Sequence, residues 1–392
     1  MNIPESSDPA LASSKFAEKI PRVKEIPVKF GERKFRPGAL WLDDKGVPIN
    51  AHGGGMLQHG GKVYWFGEHK IEGTAGNHAH VGVHVYSSED LYSWRDEGIA
   101  LSVSEDPASE IHKDCVLERP KVVFCKSTGK FVMWFHLESD EKYCGAKTGI
   151  AVADSPTGPY RYLQAVNPNK GQWPLNVTPD QQNPENIAKA QAISVNNGQN
   201  PFSPTLNLLG RDFERGQDSR DMTLFLDDDG TAYHIHSAES NSTLHFAALS
   251  EDFLSFDGAY ARAFPSRWME APAVLKRKNL YYLIASGCTG WAPNPARSAV
   301  AESVFGPWQE LGNPAEGPGA ERTFEAQSTY ILPVPGKEDA FIFMADIWRP
   351  ENAIDGRYVW LPIVFKDGKP TISWLEEWDL SVFDQDAATP TA

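Results

Sequence analysis

One strand–turn–strand phrase recurs five times along the 392 residues, and this recurrence narrows the fold more than any other feature. Its clearest instance starts at Glu270-Ala271-Pro272-Ala273-Val274-Leu275. A basic turn follows (Lys276-Arg277-Lys278-Asn279), then Leu280-Tyr281-Tyr282-Leu283-Ile284-Ala285. Two apolar runs joined by a few polar residues read as a β-hairpin, with Glu270 at the mouth of its first strand. The same phrase runs from Ala51-His52-Gly53-Gly54-Gly55 to Tyr64-Trp65-Phe66-Gly67-Glu68, and from Glu118-Arg119-Pro120-Lys121-Val122 to Phe131-Val132-Met133-Trp134-Phe135. It returns from Ser219-Arg220-Asp221-Met222-Thr223-Leu224 through Asp228-Asp229-Gly230 to Tyr233-His234-Ile235, and from Gln327-Ser328-Thr329-Tyr330 to Phe341-Ile342-Phe343-Met344. Four of the units end in a Ser- or Gly-rich turn bearing an aromatic residue: Trp94, Tyr160, Phe256 and Trp308. With His52, Glu118, Asp221, Glu270 and Gln327 as phase markers, the spacings are 66, 103, 49 and 57 residues. Periods of roughly 40–50 residues with four strands each mean propeller blades separated by insertions. The expected fold is an all-β, five-bladed β-propeller.

Residues 1–20 are polar and aperiodic and read as a flexible tail, so the propeller is expected to occupy residues 21–392 as a single domain. Short β-like runs, Ile26–Phe30 and Ala39–Leu42, are placed to help close the ring. The longest gap holds an irregular insertion at about 166–216, rich in Asn, Gln and Pro, with a short helix expected over 184–192. Its aromatics, Trp173, Phe202 and Phe213, suggest an ordered wall beside a site. With 37 Lys and Arg against 52 Asp and Glu, the net charge of −15 repels phosphate backbones, so nucleic acid is not an expected partner. No run of about 18 apolar residues is present, so no membrane span is expected. The first 24 residues lack an apolar signal core, which leaves two options: an intracellular protein or one whose leader has been removed. Localisation stays unknown, and a monomer is expected. The four cysteines (Cys115, Cys125, Cys144, Cys288) form no CxxC pair and read as free thiols.

In a propeller the first strand of every blade lines the central channel, so residues in equivalent positions converge on the axis. Here those positions hold His52, Glu118, Asp221, Glu270 and Gln327. Packing does not need three carboxylates there, because unpaired buried acids are costly. Crowded carboxylates push one another's pKa values apart, giving one proton donor and one ionised partner. Hydrolysis of a glycosidic bond uses that equipment. The plainer alternative is that these acids pair with Arg119 and Arg220, or mark strand ends facing water.

These phrases, with Ser286-Gly287-Cys288-Thr289-Gly290-Trp291-Ala292-Pro293-Asn294, resemble glycoside hydrolase family 43, most of all its exo-β-1,3-galactanase branch. The likeness covers about residues 45–385. It implies a five-bladed propeller with an axial pocket, inversion at the anomeric carbon, and an oligo- or polysaccharide substrate. By motif it implies that Glu270 is the general acid and that Asp221 tunes its pKa and holds the substrate. Glu118 and Glu68 would bind sugar hydroxyls, and His52 is grouped with them as a substrate contact. Most of the wider family has an aspartate base on the first blade, where this chain has His52-Gly53. The galactanase branch is similar in this respect, and there a glutamine matching Gln327 is implied to position or activate the water. Glu118, Glu325 and His52 are the other candidates for that task. Trp291 and Trp348 follow blade strands and are expected either to stack on sugar or to pack in the core. The resemblance requires no cofactor and allows a calcium ion in the channel.

No metal site is expected from His78, His80 and His84, whose spacing fits alternation on a strand equally well. Asp227-Asp228-Asp229-Gly230 reads as a hairpin turn, and Gly53-Gly54-Gly55 as a place where backbone crowds the axis. The leading expectation is an inverting, exo-acting hydrolase releasing galactose from β-1,3-galactan, the backbone of arabinogalactan. The rivals are an α-L-arabinofuranosidase, a β-D-galactofuranosidase, or a non-catalytic glycan-binding propeller.

Overall fold

The computed structural model describes residues 26–78, 80–139, 145–192, 206–290, 292–349 and 351–384. The tail 1–20, Phe202, Cys144 and Trp291 lie outside them. The first blade consists of β1 (His52–His59), β2 (Lys62–Lys70), β3 (His80–Ser88) and β4 (Arg95–Ser102). The second is β5 (Val116–Cys125), β6 (Lys130–Glu138), β7 (Lys147–Ala153) and β8 (Arg161–Val166). The third is β9 (Met222–Leu226), β10 (Ala232–Ala238), β11 (Thr243–Leu249) and β12 (Phe256–Ala263). The fourth is β13 (Met269–Arg277), β14 (Leu280–Gly287), β15 (Arg297–Ala301) and β16 (Gln309–Gly312). A short β17 (Ala315–Glu316) joins the outer edge of the fifth, made of β18 (Gln327–Pro333), β19 (Phe341–Ile347), β20 (Arg357–Lys366) and β21 (Lys369–Ser373). Each inner strand touches the next, and β18 touches β1, so the ring is closed. It is a five-bladed β-propeller.

Alternating apolar residues bury both faces of every blade, which leaves one apolar cluster at each of the five blade–blade interfaces. The interface between the fifth and first blades is the largest in aromatics, because there the two ends of the ring must be joined. Residues 26–50 fill it without adding a strand to either blade. Trp41 packs edge-on between Trp65 (5.8 Å) and Trp360 (4.8 Å), and Phe35 stacks on Trp378 at 4.3 Å. The Phe35 and Trp378 backbones exchange hydrogen bonds of 2.8 and 3.1 Å. The early β-like runs therefore do close the ring, as an aromatic plug carried on isolated bridges (Val28–Trp41, Phe35–Trp378).

Two local expectations differ in detail. A helix does cover Pro184–Gln191, but the described part of the insertion is clamped to the outermost strand of the third blade. Leu175 N–H donates to Tyr260 O (2.7 Å), and the Tyr260 hydroxyl donates to Gln172 O (3.0 Å). Trp173 stacks on Phe213 at 4.2 Å, so these two aromatics pack against each other within the insertion. The glycine run at the start of β1 makes room for side chains as well as backbone. A Cβ on Gly53 would lie 2.3 Å from Glu68 Oε1, and one on Gly55 2.3 Å from Lys121 Cδ.

Truncating Phe35 removes the ring at the centre of the plug. Phe35→Ala should cost about 3–5 kcal/mol, the usual penalty for a phenylalanine cavity. Urea unfolding of the two proteins checks it; a midpoint unchanged from wild type would mean that residues 26–50 do not hold the ring shut.

Candidate active site

Four of the five inner strands carry a β-bulge at their axial end: between His52 and Gly55, Glu118 and Lys121, Glu270 and Ala273, and Ser328 and Tyr330. In three of them the residue after the phase marker is left-handed, namely Gly53 (φ 60°), Arg119 (φ 53°) and Ala271 (φ 55°). A bulge breaks the alternation of faces and re-aims the side chain before it. The marker thus turns toward the axis while the rest of its strand stays in the sheet.

Asp221, Glu270 and Gln327 come together around the guanidinium of Arg119. Arg119 Nε sits 2.9 Å from Asp221 Oδ1, its Nη2 donates to Gln327 Oε1 (2.5 Å), and its Nη1 donates to Ser328 O (3.0 Å). The Gln327 amide nitrogen donates to Glu270 Oε1 (3.2 Å) and to Ser286 Oγ (2.9 Å). Asp221 also accepts the Ala271 backbone N–H at 2.9 Å, so it grips the strand that presents Glu270. Burial pushes the Glu270 carboxyl up to about 8, helped by the negative charge of Asp221 and opposed by Arg119. At neutral pH Glu270 therefore holds its proton, as a general acid must.

Glu118, Glu68 and His52 lie behind this group and are largely buried. Glu118 accepts from His136 Nδ1 at 2.7 Å. Glu68 is paired with Lys70 (2.8 Å) and accepts the Arg119 backbone N–H (2.9 Å); burial raises its pKa against the pull of Lys70. His52 was expected to touch sugar, yet only 1% of it is exposed. Its Nε2 lies 3.0 Å from Ala353 O, and burial together with Lys70 lowers its pKa to about 3. The neutral ring meets Trp348 edge-on at 4.9 Å, and Lys70 Nζ lies over the same indole at 5.4 Å from its centroid. His52 thus supports Trp348, which is half-buried where the channel opens. Of the other base candidates, Glu325 is held by Arg322 in a two-bond pair (2.5 and 2.7 Å).

Sequence reasoning missed Asp346, Lys121 and His136, because each gains its meaning from a neighbouring strand. Asp346 accepts the Gly53 N–H at 2.7 Å, and burial raises its pKa to about 7. Lys121 donates to Gly53 O at 2.8 Å; burial, with Arg119 close by, lowers its pKa to about 7. The alternative pairing of the acids with arginines is present for Arg119, which binds Asp221, whereas Arg220 reaches a different acid, Glu138. The Arg119 pairing does not compete with the axial cluster; it builds it. Among the described residues no group of three His, Cys, Asp or Glu side chains is arranged to hold a metal ion. Among the described residues no helix is long and apolar enough to cross a membrane.

A closed five-bladed ring with a protonated glutamate beside an ion-paired aspartate on its axis defines a carbohydrate-cleaving hydrolase. Comparison with known proteins gives the family. The model of glycosyl hydrolases family 43 matches residues 165–317. A family 43 β-1,3-galactosidase solved with galactodeoxynojirimycin is 47% identical, with 88% of this chain and 100% of that one covered and a TM-score of 0.81. The exo-β-1,3-galactanase of Phanerochaete chrysosporium with β-1,3-galactotriose is 31% identical over 91% of this chain and 70% of that one, with a TM-score of 0.72. A curated β-D-galactofuranosidase of Aspergillus niger is 30% identical over 148 residues, 34% of this chain and 43% of that protein. The chain therefore spans less than half the length of this curated relative. The chain belongs to glycoside hydrolase family 43.

Two outcomes follow from the state of Glu270. Activity should fall as pH rises through about 8, where Glu270 loses its proton, and Asp221→Asn should move this alkaline limb to lower pH by removing a repelling charge. A pH–rate profile whose alkaline limb is the same in both proteins would show that Asp221 does not tune the acid. Glu270→Gln should lose about 10²–10⁴ of the rate while melting no lower than wild type at pH 8. The sign follows from the raised pKa: the folded state holds this proton more tightly than the unfolded chain does. Stability is therefore lost as pH rises from the unfolded value toward about 8, and the amide escapes that loss. A lower melting temperature for the variant would contradict the assignment.

Proposed function

We propose that the protein is an inverting, exo-acting glycosidase that releases galactose from β-1,3-galactan. The observation that carries the chemistry is a glutamate with its pKa raised to about 8, set at the axis against Asp221 and Gln327. The sugar and linkage come from the relatives, of which the β-1,3-galactosidase is matched over its whole length.

In this reading Glu270 gives its proton to the glycosidic oxygen as the bond from that oxygen to the anomeric carbon breaks. Water attacks the same carbon from the opposite face, and the new bond has inverted configuration. Gln327 positions that water: its amide is locked by Arg119, Glu270 and Ser286 and is too weakly basic to keep a proton. The water's proton passes to Glu118, which is more exposed than His52 (8% against 1%), while Glu325 is held by Arg322. Glu270, left charged in a buried site beside Asp221, readily takes a proton back from solvent.

A second reading, hydrolysis of β-D-galactofuranosides, is favoured by the Aspergillus niger match over 148 residues. Incubation with de-branched arabinogalactan and with β-1,3-galactobiose should yield galactose alone, and proton NMR should detect its α-anomer first. Appearance of the β-anomer first would refute inversion. Cleavage of a nitrophenyl β-D-galactofuranoside but not the galactopyranoside would favour the second reading. Binding without any release would support a glycan-binding propeller.

A further inference from the structure

Behind Glu118, which takes the water's proton in the reaction above, lie two polar groups that the reaction does not use directly. Glu118 on β5 faces His136 on β6 across the strand pair, with Oε2 2.7 Å from Nδ1. The other ring nitrogen, Nε2, is 3.1 Å from Glu138 Oε1 on the same strand. Both His136 and Glu138 are fully buried. Glu138 is fixed in its ionised form from its far side, accepting the Ala146 N–H at 2.9 Å and lying 3.4 Å from Arg220 Nη1.

An imidazole with one proton can donate to one neighbour only, so its second nitrogen would turn a lone pair toward a carboxylate. With a carboxylate on each side, either the ring carries both protons or the second proton sits on Glu118. We infer that His136 is a permanently charged imidazolium wedged between Glu118 and Glu138, and that it is the positioning residue that keeps Glu118 ionised and aimed at the axis. This rests on the reading of Glu118 as the group that accepts the water's proton.

The surroundings agree. Burial alone would lower the pKa of His136, but the hydrogen bonds to Glu118 and Glu138 outweigh it and raise it to about 9. The positive charge of Arg119 attracts Glu118, while Glu68 repels it. Arg220 faces Glu138. Across the sheet His136 pairs in register with Thr148, whose hydroxyl is bonded to Phe135 O and to His234. Losing the imidazolium would leave Glu118 beside Glu68 with one fewer cation, and its proton affinity would rise.

The test has two readouts. In protein labelled with carbon-13 at histidine Cε1, one resonance should stay at the imidazolium position up to pH 8, where ordinary histidines are neutral, and it should vanish in His136→Gln. If every histidine resonance is neutral at pH 8, the inference is overturned, and the wild-type spectrum decides this even if the variant fails to fold. In kcat/KM profiles, His136→Gln should move the acidic limb up by about 1–3 pH units and leave the alkaline limb in place. A uniform loss at every pH, with both limbs unmoved, would mean that His136 only supports the fold and would equally overturn it. Should the wild-type protein release no galactose, the sugar reading fails by itself, while the resonance still reports the charge on His136.

Discussion

One buried guanidinium allows several acids to share an axis. Arg119 rises from the left-handed bulge of the second blade and reaches Asp221 on the third and Gln327 and Ser328 on the fifth, while its own backbone N–H bonds Glu68 on the first. Four blades thus meet through one residue. Burying a cation is costly unless every donor finds an acceptor, and here the acceptors are supplied by strands that arrive from separate parts of the sequence. Without the guanidinium, Asp221, Glu270 and Glu68 would repel one another across a dry channel.

The same logic holds the blades to each other at the axial end. Left-handed residues other than glycine are strained, and such strain persists only where the surroundings fix it. At three interfaces the fixing group is a carboxylate from the preceding blade that accepts the bulge N–H: Asp346 for Gly53, Glu68 for Arg119, and Asp221 for Ala271. The other two interfaces use related stitches. Arg220 reaches Glu138, and the Ser328 hydroxyl donates to Ala271 O at 2.6 Å. The acids therefore do two jobs, since the groups that shape the site also join the ring. This explains why carboxylates accumulate where packing alone would place none.

The residues that could be read from the sequence are those that repeat in phase. His52, Glu118, Asp221, Glu270 and Gln327 each open an inner strand or directly precede one, so the repeat alone predicted their convergence. Their second-strand partners follow no such rule: Glu68, His136, Ser286 and Asp346 sit opposite four of the markers but share no residue type. Phase cannot reveal which acid is paired, either. Arg119 was weighed as a neutralising partner and proved to be the centre of the cluster, because its reach across the axis depends on a bulge that no single-strand pattern encodes. His52 was misread for a related reason. It occupies an axial register, yet Trp348, arriving from the end of the fifth blade, covers it.

The position of Arg119 also favours Glu270 as the acid of the proposed reaction. Asp221 and Glu270 are close enough to repel, so one negative charge between them is favoured over two. The guanidinium makes its short contact with Asp221, and burial beside that aspartate favours the proton on Glu270. Arg119 then fixes Gln327 as well. With the amide oxygen turned toward Arg119, the amide nitrogen must face Glu270 Oε1 and Ser286. A carboxyl oxygen that is accepting a hydrogen bond is a poor seat for the acidic proton, so that proton belongs on the opposite oxygen of Glu270. In the proposed reaction, one ion pair between the second and third blades thus sets, through an amide from the fifth, the direction in which the fourth blade would deliver its proton.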